Sequence, residues 1–448
     1  MERQNESNVY ERPVTLRNIL KFAVPTIAMT VFMSFYTMVD GLFVSNLIGT
    51  DALSAINLTA PVIQLVTAVS TMLATGGSAV IMKKMGEQKR EEAKEDFTFL
   101  ILVNVMVGIV MCAAGYLAMD SVFGGMSLSA DVEGYCVEYL GRYLVFTVPI
   151  LLMNNFTLYM IASEKASLSL ACSVTGGVLN MVLDYVLIAG LDMGIGGAAV
   201  ATGLGYSVTA VVGLLVFSQK KSLLHFRKPV FRWKVFANAV TNGCSEMATA
   251  LVTGIITMMF NWTMLRFVGE DGVAAVTIIM YVLMFASSLY TGYSYGVAPM
   301  LSFYYGERSL KEGQAQAHDK LKELVALSMK VIAAISVATV VLSFLLTEPL
   351  VSVFARPDNP VYDLAVTGNR ICTIALLFIG FNIFASGMFT ALSNGIVSAI
   401  LAFSRSFVFM LITMMILPLI FGVNGIWLAT PVAELMALAL SAFLFLKY

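Results

Sequence analysis

Polar residues along this chain gather in short segments, and between them run apolar stretches of about twenty residues or more. We place twelve such stretches, over residues 16–45, 53–82, 96–119, 137–161, 167–189, 197–217, 235–265, 273–301, 322–346, 367–391, 397–420 and 426–446. At about 1.5 Å per residue, roughly 20 helical residues cross the 30 Å hydrocarbon core of a bilayer. The pattern predicts an all-α integral membrane protein with twelve transmembrane helices. The polar start, Met1 to Glu11, has no charged n-region, apolar core or cleavage site, so the first span is expected to stay in place.

Composition agrees: 58% of the 448 residues are hydrophobic, 12% are charged, and the mean hydropathy is +0.84. That excess of apolar residues excludes an ordinary soluble domain. Lys and Arg are sorted by side. They occur before span 1 (Arg3, Arg12, Arg17, Lys21), after span 2 (Lys83, Lys84, Lys89, Arg90, Lys94), after span 6 (Lys220, Lys221, Arg227, Lys228, Arg232, Lys234) and after span 8 (Arg308, Lys311, Lys320, Lys322). The opposite loops are nearly free of them, with Arg266, Arg356 and Arg370 as exceptions. Basic loops stay on the cytoplasmic side, so both termini are expected in the cytoplasm and the protein in the plasma membrane.

A net charge of −1 gives no reason to expect a nucleic-acid partner. The five cysteines are scattered, mostly within spans, and read as small apolar residues.

The chain repeats itself. Residues 47–92 align without a gap to 267–312, and the identities fall on loop glycines and acids such as Gly49/Gly269, Asp51/Asp271, Gly76/Gly296 and Gly86/Gly306. A second match pairs Gly194, Gly197, Ala201 and Thr202 with Gly422, Gly425, Ala429 and Thr430. Two six-span halves in the same orientation follow: a lobe over 1–217, a basic linker over 218–234 and a second lobe over 235–448. Parallel repeats of this kind enclose a cavity between lobes that rock against each other, which suits a transporter.

Charge inside a bilayer is costly and usually marks an ion or proton site. Asp40 and Asp184 each lie about five residues from the outer end of their span. Asn180 lies one helical turn deeper on the face of Asp184, and Thr202 sits at the same depth in span 6. Two carboxylates, an amide and a hydroxyl suit Na⁺. They suit a proton as well, because like charges close together raise a carboxyl pKa. At the repeat positions the second half has Phe260, Val408 and Ile412, and keeps only Thr430. It carries instead Glu246, Arg405 and Glu434; Glu246 and Arg405 lie at similar depth, which allows a pair across that lobe or a second proton site at Glu246.

These residues carry a resemblance to the multidrug and toxic compound extrusion (MATE) family, covering essentially all twelve spans. Its most specific parts are Met38-Val-Asp-Gly-Leu-Phe-Val-Ser45, Leu47-Ile-Gly-Thr-Asp-Ala-Leu-Ser-Ala55, Asn180-Met-Val-Leu-Asp-Tyr185, Gly194-Ile-Gly-Gly-Ala-Ala-Val-Ala-Thr202, and Gly296-Val-Ala-Pro with Tyr305-Gly306. The resemblance implies an antiporter that expels bulky, often cationic, amphipathic compounds in exchange for entering H⁺ or Na⁺. It implies a coupling-ion site in the N-terminal lobe, and carries the roles over to Asp40, Asn180, Asp184 and Thr202. In another branch an acid in span 7 contributes a second site; Glu246 has a comparable place, though Asn242-Gly-Cys-Ser-Glu-Met247 departs from the usual Pro-containing pattern. Span 1 of the family can bend, and Pro25, which removes a helical hydrogen bond, would be the hinge.

Tyr36, one turn before Asp40, and Asn154 and Asn155 in span 4 are candidate cavity groups for a substrate. No cofactor beyond the coupling ion and no other metal is expected, and the protein is expected to act as a monomer in the lipid bilayer. One rival is a lipid-linked oligosaccharide flippase of the same superfamily, which would need several basic groups in its cavity; only Arg142, Lys330 and Arg405 lie deep enough. The other is a membrane-embedded enzyme. The two histidines, His225 and His318, lie in basic loops without ligand spacing, which counts against it.

Overall fold

The computed structural model describes residues 10, 13–47, 50–124, 129–310 and 314–447, with backbone alone at 40–47, 50–51, 53–54, 120 and 130. Among the described residues all regular structure is helical. Eleven helices are long and apolar enough to cross a membrane, and a bent pair supplies the twelfth span. In chain order the spans are Leu16–Leu47, Thr50–Gly86, Arg90–Phe123, the pair Ala130–Val145 and Thr147–Ala162, Ala166–Asp184 extended by a π-helical turn Tyr185–Gly190, Gly194–Ser218, Trp233–Phe267, Glu270–Glu307, Gln314–Leu345, Pro360–Cys372 continued by Leu376–Ala391, Gly395–Phe403 continued through a π turn Ser404–Phe409 into Met410–Phe421, and Val423–Lys447.

Span 4 departs from the expected single helix over 137–161, because its two pieces meet at 52° around Phe146. Pro149 is the local cause. It falls at the third position of the second helix, where the missing N–H would have had no intrahelical partner, whereas in an unbroken helix it would lose a bond to, and clash with, the carbonyl of Val145. The Phe146 ring fills the space at Gly203 of span 6, where any side chain would overlap it.

Span 1 runs as helix straight through Pro25. Around it, Thr30 Oγ1 donates to Ser288 O of span 8 at 2.7 Å, and a methyl built on Gly296 would come within 2.8 Å of Ala23 Cα. Span 2 makes the corresponding approach to span 7: a side chain on Gly76 would overlap the Ala239 carbonyl, and one on Gly243 the Met72 carbonyl. Further along, Gly86 of span 2 and Gly306 of span 8 lie backbone against backbone, each against a carbonyl of the other helix. The matched loop glycines Gly194 and Gly422 share a left-handed conformation, with φ of +56° and +58°.

Burial is organised by depth. At the end bearing the basic loops, one core contains Ile19, Met82, Phe97 and Phe217 together with Ala239, Val297, Met300 and Leu324, so spans from both parts of the chain share it. At the other end there are two separate cores. One contains Ala55, Leu140 and Ala199; the other contains Phe260, Ile279 and Trp427. The helices are therefore joined at the basic end and parted at the opposite one.

The segment between spans 6 and 7 is folded back onto the start of span 3. Phe226 stacks on Phe97 with centroids 5.4 Å apart, and Arg227 pairs with Glu91. Arg232 reaches Asp96 at 2.7 Å and Glu95 at 2.6 Å, while Lys84 of span 2 also pairs with Asp96, whose side chain is fully buried. Tyr10 completes this closure, donating to Ala162 O at 2.6 Å and stacking on Phe303. Its burial pushes the phenol well above its usual pKa.

Candidate functional site

Spans 5 and 6 hold three of the four residues expected in one layer. Gly176 and Gly205 let these helices approach closely, a methyl on Gly205 falling 2.7 Å from the Gly176 carbonyl oxygen. The approach brings Asn180 Nδ2 to Thr202 Oγ1 at 3.2 Å. All three side chains are inside the protein, with Asn180 1%, Asp184 0% and Thr202 7% exposed. Asp184 closes the α-helical part of span 5, and the π turn Tyr185–Gly190 begins at the next residue. Single π turns re-aim the residues around them and are frequent at functional sites.

Asn180 Oδ1 has no hydrogen-bond partner among the described residues. A buried amide oxygen left unmatched costs about 1–3 kcal/mol. Beside a buried carboxylate on the same helical face, it is an oxygen donor available to a hard cation, and the carboxylate is equally a place for a proton. The residues present thus fit a small coupling ion. The backbone of span 1 includes position 40, but the Asp40 side chain lies outside the described residues.

One to two turns from Asn180 toward the basic end, Tyr36, Met33, Ser173, Gly177 and Tyr206 line a cavity of about 10 Å³, room for about one water. Tyr36 therefore borders an internal space of water size. Asn155 does not: it is fully buried and exchanges amide bonds with Asn104 of span 3, donating at 2.7 Å and accepting at 3.3 Å. Its amide is used as packing glue between spans 3 and 4. Asn154 is half-buried and donates to Ser70 Oγ of span 2 at 2.9 Å.

The second lobe does not form the Glu246–Arg405 pair that their similar depth allows. Arg405 does not bond Glu246. Its Nε lies 2.9 Å and 3.0 Å from the two carboxylate oxygens of Glu434, which also accepts from Asn382 Nδ2 at 2.7 Å, and Ser441 donates to Asn382 Oδ1 at 2.9 Å. The π turn Ser404–Phe409 carries Arg405 into this network. Glu246 instead borders a cavity of about 40 Å³ with Thr75 and Ser78 of span 2, Ser294 and Tyr295 of span 8 and Thr390 of span 10. That space holds roughly three waters. Depth along the spans placed Glu246 and Arg405 together. Their rotation about the helix axes, which depth does not report, separated them.

Twelve helical spans, joined at one end and parted at the other around buried polar layers, define a multi-pass membrane transporter. The MatE family model matches residues 25–186 and 247–416, and the chain belongs to that family, which comprises transporters and not enzymes. It is similar to the multidrug export protein MepA of Staphylococcus haemolyticus, 21% identical with 97% of this chain and 94% of the relative covered. MepA of Staphylococcus aureus strain NCTC 8325 is 20% identical, with 95% and 92% covered. Among solved structures, the outward-facing conformation of a multidrug resistance MATE family transporter of the MOP superfamily superposes with a TM-score of 0.88 at 23% identity, covering 96% of this chain and 94% of that one. MATE in the straight conformation gives the same score, identity and coverage.

Proposed function

We propose that the protein is a secondary active efflux antiporter that exports amphipathic, often cationic compounds in exchange for H⁺ or Na⁺. It works by alternating access between two lobes, residues 1–217 and 235–448, joined by the basic linker 218–234, as a monomer with both termini in the cytoplasm. The names of the MepA relatives support the export of drugs. The observation that carries the coupling is the buried Asn180, Asp184 and Thr202 layer, with its unmatched Asn180 Oδ1, set against Phe260, Val408 and Ile412 at the repeat positions of Asp40, Asn180 and Asp184. In this reading the main coupling-ion site belongs to the first lobe.

With the basic end cytoplasmic, the described conformation is closed toward the cytoplasm. Entry of H⁺ or Na⁺ from outside neutralises the Asp40 and Asp184 layer. That removes repulsion and lets span 1 repack at Pro25, which favours release of the exported compound and return to the inward-open state. Glu246, which borders the small polar cavity between spans 2, 8 and 10, offers a second proton site.

The test is ethidium efflux from proteoliposomes under separately imposed pH and Na⁺ gradients. One gradient is expected to drive efflux, and Asp184→Asn is expected to lose at least tenfold of the driven rate while inserting normally. Driven efflux by Asp184→Asn at the wild-type rate, or efflux stimulated by neither gradient, would sink the reading.

A further inference from the structure

We propose that the cavity at the basic end between spans 8, 9, 10 and 12 binds an anionic phospholipid of the adjoining leaflet, phosphate at the rim and one acyl chain within. The cavity is large, about 1000 Å³. Its rim carries Lys83, Arg308 and Lys322, and none of these three has a carboxylate within ion-pair distance among the described residues. The one acid in the lining among the described residues, Glu87, is held by Lys89 at 2.8 Å. His318 also lines it, and its Nδ1 has no hydrogen-bond partner among the described residues. Three cations around one opening, with no carboxylate partner among the described residues, call for an anion.

Below the rim the lining turns apolar. Leu321, Val325 and Met329 follow one another at four-residue spacing on span 9, a stripe about 12 Å long. Met388 and Phe389 of span 10 and Phe445 of span 12 complete the walls. A free phosphate has no use for such depth, whereas a diacyl phospholipid has a head for the rim and a chain for the groove. Basic pockets between transmembrane helices on the cytoplasmic side are suited to anionic headgroups. The choice of leaflet rests on the cytoplasmic assignment of the basic end, but the binding does not.

The rim is composite. Lys83 comes from span 2 and lies over the Tyr305 ring of span 8 at 5.2 Å, whereas Arg308 and Lys322 belong to the second half of the chain. The lipid therefore bridges the two parts only while the basic end is closed, and its occupancy favours that state.

Native mass spectrometry of the purified full chain tests this with phosphatidylglycerol and phosphatidylcholine of identical chains. Each basic residue contributes about a fivefold factor toward an anionic lipid, so phosphatidylglycerol is expected to be retained at least tenfold better. The double variant Arg308→Gln with Lys322→Gln is expected to lose roughly 10- to 30-fold of that retention. Val325→Trp, which keeps the cations and fills the groove, is expected to lose it too. Equal retention of the two lipids by the wild type overturns the proposal, whatever the variants do, as does unchanged retention in both variants. Thermal stabilisation by inorganic phosphate equal to that by phosphatidylglycerol also overturns it, since the site would then bind a bare anion. The readout needs no transport, so failure of the antiporter reading would leave it standing.

Discussion

Arg232 and Asp96 are joined at 2.7 Å where the linker turns into span 7, and Asp96 is fully buried between that arginine and Lys84 of span 2. One carboxylate thus fastens the first helix of the second lobe to the first lobe, at the end where spans of both lobes share one core. Removing it leaves two cations facing each other. Breaking a buried pair costs about 3–5 kcal/mol. Arg232 and Lys84 keep 30% and 18% exposure, so water reclaims part of that, and we expect about 2 kcal/mol for Asp96→Ala. The melting temperature of the purified protein is expected to fall by several degrees, with Arg232→Gln milder. A melt of Asp96→Ala within one degree of wild type would dismiss the clasp.

Gly243 and Gly254 make a controlled pair on one helix. A side chain at Gly243 would overlap the Met72 carbonyl, whereas nothing lies within 4 Å of one at Gly254. Gly243→Ala is expected to force spans 2 and 7 apart at a cost of about 1–3 kcal/mol. Gly254→Ala is expected to be neutral or to stabilise by about 0.5–1 kcal/mol, through helix propensity. The melting temperature should fall for Gly243→Ala and stay level or rise for Gly254→Ala. Equal shifts would mean that the close approach between spans 2 and 7 is not under constraint.

Arg405 and Glu434 form a pair that two further polar groups hold in place, and its energetics predict an asymmetry. Glu434→Ala strands a partly buried guanidinium, while the Asn382 amide keeps its bond to the backbone carbonyl of residue 434, and should cost about 3–5 kcal/mol. Replacing both charges together, as Arg405→Met with Glu434→Leu, should recover most of that, because the desolvation of two charges is no longer required. Stability at the level of Glu434→Ala in the double variant would show that the pair contributes far more than it costs to bury.

The spans were legible in the sequence because a membrane helix must be apolar over about twenty residues, and that length leaves little choice of boundary. The 52° break at Phe146 was not, since a proline three residues inside a helix marks a start only once the helix is known to start there. Asn180 and Thr202 were placed together because both lie near the outer ends of consecutive spans joined by a short loop. Arg405 was matched to Glu246 by depth, yet depth leaves the azimuth open, and Glu434 took the bond. Asp96 was overlooked for a different reason. An acid at the start of span 3 looks like any first-turn carboxylate favoured by the helix dipole, and nothing local announces that a linker 136 residues on will cover it.

Thr202→Val separates the structural and the coupling roles of the buried layer. Valine keeps the shape but takes away the acceptor of Asn180 Nδ2, so the buried amide loses its 3.2 Å bond. The expected cost is about 1–3 kcal/mol. Asn180→Leu removes the other side of the same bond and also the unmatched Oδ1. If the bond is the main link between the two residues, the double variant should lose less than the sum of the single losses, by about 0.5 kcal/mol or more. Transport should respond differently. Asn180→Leu deletes an oxygen from the proposed ion site, whereas Thr202→Val leaves Asp184 and the amide oxygen in place, so gradient-driven efflux is expected to fall further in Asn180→Leu than its loss of stability accounts for. Efflux that follows stability alone across the three variants would reduce Asn180 and Thr202 to packing glue and leave Asp184 to carry the coupling by itself.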